Sequence, residues 1–228
     1  MLVSAHLAQR CAAALLTAVP STRASARLVA TASRDRCSAL VPIAPDSEEL
    51  EATAIVNVLR RAGWDVTLAS VGVKAGAPVT CARGQRLLAD ETLADAKARA
   101  YDIVVIPGGM PGASHLAADG DVMETLRRQK EKGGWYAAIC AAPAVVFAQG
   151  SAPDLLPPRA TCHPAFTQVL EEAGCAADAL TDRVVVDAAR KCVTSRGPGT
   201  AIEFALKLVE VVEGSEAAEK VAAPMVVR

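Results

Sequence analysis

The run Ile103-Val-Val-Ile106, closed by Pro107-Gly-Gly109, constrains this 228-residue chain more than any other feature. Four successive β-branched residues without polar alternation need cover on both faces, which is the habit of a parallel strand inside a sheet. Further strand-length runs lie at 39–44, 64–70, 86–88, 136–139, 159–161 and, as a pair, 183–187 with 191–194. Segments of helical period separate them at 47–62, 92–100, 122–132, 142–149, 164–173 and 198–212. The alternation predicts an α/β fold, a doubly wound, mostly parallel sheet sandwiched by helices. With 52% apolar residues the chain can bury a sizeable core, but only 3% are aromatic, so small aliphatic side chains must fill it. In such folds ligands bind beyond the carboxyl ends of the strands, so the loops after positions 44, 106, 139 and 161 are where chemistry is expected.

Residues 1–36 differ from the rest. Arg10, Arg23, Arg27, Arg34 and Arg36 stand against one acid, Asp35, amid Ala, Ser and Thr. This composition predicts an organelle transit peptide, of plastid or mitochondrion, with 37–228 as one folded domain. A secretory leader is the rival reading, and without a functional leader the protein would be cytoplasmic. The formal charge of -1 offers no general attraction to nucleic acid or to an anionic bilayer, so neither is expected as a stable partner. Seven cysteines, at 11, 37, 81, 140, 162, 175 and 192, include no C-x-x-C pair and no cluster of zinc-site spacing. No metal or cofactor is expected.

Three groups at strand ends carry the candidate chemistry. In the first helix a carboxyl group, Glu51, falls in the middle of the apolar arc formed by Leu50, Ala54, Ile55, Val58, Leu59 and Ala62. It reads either as a carboxylate paired with a buried donor or as a carboxyl of raised pKa that moves protons. Cys140 stands where the apolar strand Trp135-Tyr-Ala-Ala-Ile139 runs into a helix, in the manner of a nucleophile elbow, and a helix start is expected to lower the pKa of its thiol. A buried strand cysteine of no special reactivity is the plain alternative. The third group is Pro107-Gly-Gly-Met-Pro-Gly112, either a tight turn or a place where backbone N–H groups meet a substrate oxygen. His163 follows a further short strand and precedes Pro164.

Taken together, Glu48-Glu-Leu-Glu51, Arg60-Arg-Ala-Gly63, Asp102-Ile-Val-Val-Ile-Pro-Gly-Gly109, Ala138-Ile-Cys-Ala-Ala-Pro143, His163-Pro164 and Ser195-Arg-Gly-Pro-Gly-Thr-Ala-Ile-Glu-Phe-Ala-Leu206 resemble the DJ-1/PfpI superfamily, in order and spacing, from about position 39 to 227. The resemblance is to the branch of glyoxalase III-type and protein-deglycase-like enzymes. It implies a flavodoxin-like, class I glutamine-amidotransferase-like fold and a homodimer. It also implies Cys140 as nucleophile, Glu51 as the carboxyl in contact with it, His163 nearby, and the N–H groups of Gly109 and Ala141 as an oxyanion hole. Protease-like relatives have His where Ala141 stands, and triad amidotransferases have Glu where Ala165 stands, so both alternatives lose their base.

The implied activity is glutathione- and cofactor-independent conversion of methylglyoxal or glyoxal to lactate or glycolate, with deglycase activity on early glycation adducts. An oxidative-stress sensor or redox chaperone acting through oxidation of Cys140 is the alternative. Two departures bear on specificity: Ala142 stands where the family often has Gly, and the connection from 173 to 182 is shorter than in some relatives.

Overall fold

A computed structural model describes residues 36–227, so the expected leader, apart from Arg36, lies outside the described residues. The strands are β1 (Ser38–Ile43), β2 (Asp65–Ser70), β3 (Val79–Thr80), β4 (Arg86–Leu87), β5 (Glu91–Thr92), β6 (Ile103–Ile106), β7 (Trp135–Ile139), β8 (Val184–Asp187) and β9 (Cys192–Ser195). The α-helices are α1 (Glu49–Arg61), α2 (Leu93–Ala96), α3 (Gly112–Ala118), α4 (Gly120–Glu131), α5 (Thr167–Glu172), α6 (Ala201–Glu213) and α7 (Ser215–Ala222). Seven strands form one sheet in the order β5-β2-β1-β6-β7-β9-β8, parallel except for β8 against β9, while β3 and β4 make a small antiparallel ribbon.

Both faces of the sheet are covered, which is why Ile103-Val-Val-Ile106 needs no polar side. Ile103 and Val105 join Ile55, Val58 and Leu59 of α1 and Phe204, Ala205, Leu208 and Val209 of α6. Val104 and Ile106 face the opposite way, onto Leu116 of α3, Val122 and Leu126 of α4, and Phe147. With so few aromatics, Tyr136 and Phe147 meet edge to face at 5.4 Å in the middle of that second layer.

Several elements depart from the sequence reading. The segment 159–161 is no strand, because Thr161 turns its hydrogen bonds to other partners: its N–H donates to Thr194 Oγ1 at 2.9 Å and its hydroxyl to Leu180 O at 2.9 Å. The expected helix at 142–149 is a six-residue π-helix, Pro143–Ala148, in which the Gln149 N–H reaches back to Ala144 O. The expected helix at 92–100 is a single turn, Leu93–Ala96, beyond which the Arg99 guanidinium is drawn to Thr67, Tyr101 and Glu91. The helices α3 and α7 were not apparent from periodicity. In α3 the first residue is Gly112 behind Pro111, both of them ordinary turn residues.

Candidate active site

From β1 the chain moves to β2 on one side, then returns across β1 to place β6 on the other. The two connections part at the carboxyl ends of β1 and β6, leaving a crevice there. The β1–α1 junction, the loop after β6 and the turn after β7 meet at this end of the sheet.

Cys140 sits on the last of these turns with φ +65, a left-handed conformation that costs a non-glycine residue about 1–3 kcal/mol. Two backbone hydrogen bonds hold it there: its N–H donates to Ser195 O at 3.0 Å, and its carbonyl accepts the His163 N–H at 2.8 Å. The strained turn lifts the thiol off the sheet and into the crevice.

Glu51 belongs to the first turn of α1 and is fully buried. Its N–H donates to Glu48 Oε2 at 2.7 Å, so Glu48 caps the helix, while Asp46 lies in a left-handed turn at φ +65. Its Oε2 accepts the Gly108 N–H at 2.8 Å. The thiol of Cys140 faces the same carboxyl, yet Oε1 is left without a well-formed hydrogen bond, so the thiol proton is not committed to it. Burial pushes the carboxyl up to about 7, and the charge of Glu48 adds to the rise, against the opposing pull of the Gly108 N–H and the Cys140 thiol.

The thiol differs from expectation. Burial first, and then the charge of Glu51, push Cys140 up to about 12, while the backbone N–H groups of Gly109 and Ala141 pull it down without prevailing. The helix start was expected to lower it, but the element that follows is only a π-helical turn, with no long macrodipole behind it. The effective donors are those two N–H groups. A neutral thiol beside a carboxyl that titrates near pH 7 is therefore the resting arrangement, with the carboxyl able to take the thiol proton during attack.

Gly108 and Gly109 make this approach possible. A Cβ on Gly108 would stand 2.5 Å from Cys140 Cβ and 2.9 Å from Glu51 Oε2. Gly109 adopts φ +91, and a Cβ there would meet the Glu48 backbone N at 2.5 Å.

His163 is half-buried on the facing wall. Its Nδ1 accepts the Ala165 N–H at 3.2 Å, which leaves Nε2 to carry the ring proton. A Cβ built on Gly197 would lie 3.4 Å from His163 Cδ2 and 4.0 Å from Cys140 Sγ, so imidazole and thiol border the same spot. A pocket of about 210 Å³ joins Cys140, Ala141, Gly109 and His163 with Glu48 and Arg83. All five sequence-predicted site residues thus converge.

Sequence reasoning missed Glu48 and Glu49. The buried Glu49 carboxylate accepts the N–H groups of Arg83 and Gln85, which moors the loop carrying Arg83 to the pocket rim. The acid-rich start of α1 was the available signal. Leu50, placed in the apolar arc, is 55% exposed, although Glu49, Glu51 and Ala52 in the same turn are buried.

The sequence pattern of the DJ-1/PfpI family matches residues 37–211. The chain is 40% identical over 189 residues to the glutathione-independent glyoxalase DJR-1.2 of Caenorhabditis elegans, a match over 82% of this chain and 95% of that protein. It is 39% identical over 206 residues to protein DJ-1 homolog B of Arabidopsis thaliana, covering 90% of this chain but only 45% of that longer protein. Among solved structures, oxidised Toxoplasma gondii DJ-1 superposes with a TM-score of 0.73 at 41% identity, over 83% of this chain and 97% of the other.

Proposed function

Because the chain belongs to the DJ-1/PfpI family, we propose that it is a glutathione- and cofactor-independent glyoxalase acting on methylglyoxal and glyoxal. The observation that carries this reading is the buried Glu51 carboxyl, titrating near neutrality, against the Cys140 thiol at a pocket lined by Gly109, Ala141 and His163.

The steps balance without an outside oxidant. The Glu51 carboxylate takes the thiol proton as sulfur adds to the aldehyde carbon, and the oxyanion that develops is met by the N–H groups of Gly109 and Ala141. The Glu51 acid protonates that oxygen, giving a hemithioacetal. As carboxylate again, Glu51 removes the proton from the former aldehyde carbon to form an enediolate; the hydroxyl proton on that carbon passes to the neighbouring oxygen, and Glu51 returns its own proton to the adjacent carbon. The product is a thioester of the hydroxy acid, and water releases lactate and the free thiol. His163 serves as a hydrogen-bond donor from Nε2 to the enediolate oxygen, so its alanine variant keeps more activity than Cys140→Ala. Hemiaminal adducts of the same aldehydes present a similar carbon to the thiol, and they extend the proposal to deglycase activity.

Lactate release from methylglyoxal without glutathione, lost in Cys140→Ala, is the expected result. An undiminished rate in that variant would sink the scheme. A second reading, oxidation of Cys140 in a stress sensor or redox chaperone, draws support from the similarity to oxidised Toxoplasma gondii DJ-1. In that role the protonated Glu51 would donate to a sulfinate oxygen. We further propose a homodimer and, from the arginine-rich leader, an organellar location, which mass measurement of the mature N-terminus after cell fractionation decides.

A further inference from the structure

Three hydrogen bonds close a ring at the β1–α1 junction. The Glu48 N–H donates to Gly108 O at 2.9 Å, the Gly108 N–H donates to Glu51 Oε2 at 2.8 Å, and the Glu51 N–H donates to Glu48 Oε2 at 2.7 Å. Each residue in the ring both gives and receives, and the Glu48 side chain also lines the pocket that opens onto Cys140. Glu48 is itself buried, which puts a second acidic group beside a buried carboxyl. A capping residue chosen only for its acceptor oxygen is usually Asp, Asn, Ser or Thr. The glutamate here supplies the cap together with a charge next to Glu51.

We propose that Glu48 is a positioning residue for Glu51: it fixes the buried carboxyl through this ring and sets a negative charge beside it. The inference rests on the acid–base role given to Glu51 above. The groups facing Glu51 are the Gly108 N–H from the end of β6, the Cys140 thiol from the end of β7 and Glu48 from its own helix start; His163 and Arg83 stand farther round the pocket wall. Of these, the Glu48 charge raises Glu51, and it does not figure among the influences on the thiol. Glu48 therefore acts on one member of the pair. Burial does most to keep the proton on Glu51, and a like charge nearby, which disfavours ionisation, adds to it.

The test is an infrared titration of the full chain, with the Glu51 carboxyl band assigned by its absence in Glu51→Gln. It needs no turnover, so it can fail while lactate formation stands, and the reverse. Glu48→Gln keeps an oxygen to accept the Glu51 N–H but removes the charge, and its Glu51 midpoint is expected below wild type. Glu48→Asp retains the charge and is expected to return the midpoint toward wild type. A Glu48→Gln midpoint equal to wild type would overturn the proposal, since a cap without a charge effect would then suffice. If Glu48→Gln does not fold, Glu48→Ser takes its place, since serine caps a helix without a charge: a Glu51 midpoint below wild type supports the proposal and one equal to wild type overturns it.

Discussion

Gly108 donates its amide hydrogen to Glu51 Oε2 at 2.8 Å across a gap that the missing side chain keeps open. The gap is filled on every side by Cys140 Cβ, the Glu51 carboxyl and the Ile139 carbonyl. Gly108→Ala must therefore move backbone or break the bond to Glu51. Overpacking of this kind costs about 2–3 kcal/mol, and thermal denaturation of the variant should show it together with a loss of Cys140 reactivity. A variant as stable and as reactive as wild type would contradict the close approach.

Stability should depend on pH through Glu51. Its folded-state pKa, about 7, lies above the value of 4.5 for a free glutamate, so between these limits the folded chain binds the extra proton. Stability contributed by this group is full below about pH 4.5, falls as pH rises to about 7 and stays low above it. The two limits correspond to about 3 kcal/mol. Glu51→Gln keeps the shape without the ionisation, so calorimetry at pH 5 and pH 8 should show a smaller decline with pH than wild type. An equal decline would assign the effect to another group.

Cys140 should alkylate first among the described cysteines. Cys81, Cys162 and Cys192 are each no more than 2% exposed, which denies a reagent access, and Cys175, although as exposed as Cys140 at 9%, has no backbone N–H donors to oppose the rise that burial gives its pKa. Cys37 is the better rival because it is half-exposed, but burial and the neighbouring Glu213 push it up to about 12. No backbone N–H groups oppose that rise, as those of Gly109 and Ala141 do at Cys140. Substoichiometric iodoacetamide followed by peptide mass mapping should find Cys140 modified ahead of Cys37, and the opposite order would relocate the reactive thiol.

The proposed dimer draws on the outer face of α1. Ala52, Val56, Arg60, Arg61 and Leu87 line a groove of about 470 Å³, and Leu50 and Leu88 stand 55% and 66% exposed. Val58, in the apolar arc of the same helix, is fully buried against the sheet and takes no part in this face. Leu50→Asp should shift the sedimentation coefficient to that of a monomer at micromolar concentration without lowering helix content. Unchanged sedimentation would place any interface elsewhere.

The parts of the site legible in the sequence were those carried by local pattern. Ile103-Val-Val-Ile106 announced a covered parallel strand, and the strand running into Cys140 announced the elbow. Glu51 was visible because a carboxyl interrupted an apolar arc. What escaped depended on distances across the fold. Asp46 ranks above glutamate as a cap, yet the chain spends Asp46 on a left-handed turn and leaves the capping to Glu48. The direction of the thiol shift could not be read either, because it is a contest between burial, a facing carboxyl and two N–H groups from separate loops. Thr161 escaped for a similar reason: its partner, Thr194, lies on a strand that pairs elsewhere.

The elbow at Cys140 is held by the carbonyl of Ser195 and the amide of His163, both of which come later in the chain. On the ribosome, a nascent polypeptide that has emerged only as far as the turn after β7 therefore carries the cysteine but nothing to hold it in its left-handed turn. Its thiol stays an ordinary one until β9 has been made and docked. Synthesis thus brings the sulfur together with Glu51 and the two N–H donors only in a finished sheet, and an arrested or truncated product carries the cysteine without its site.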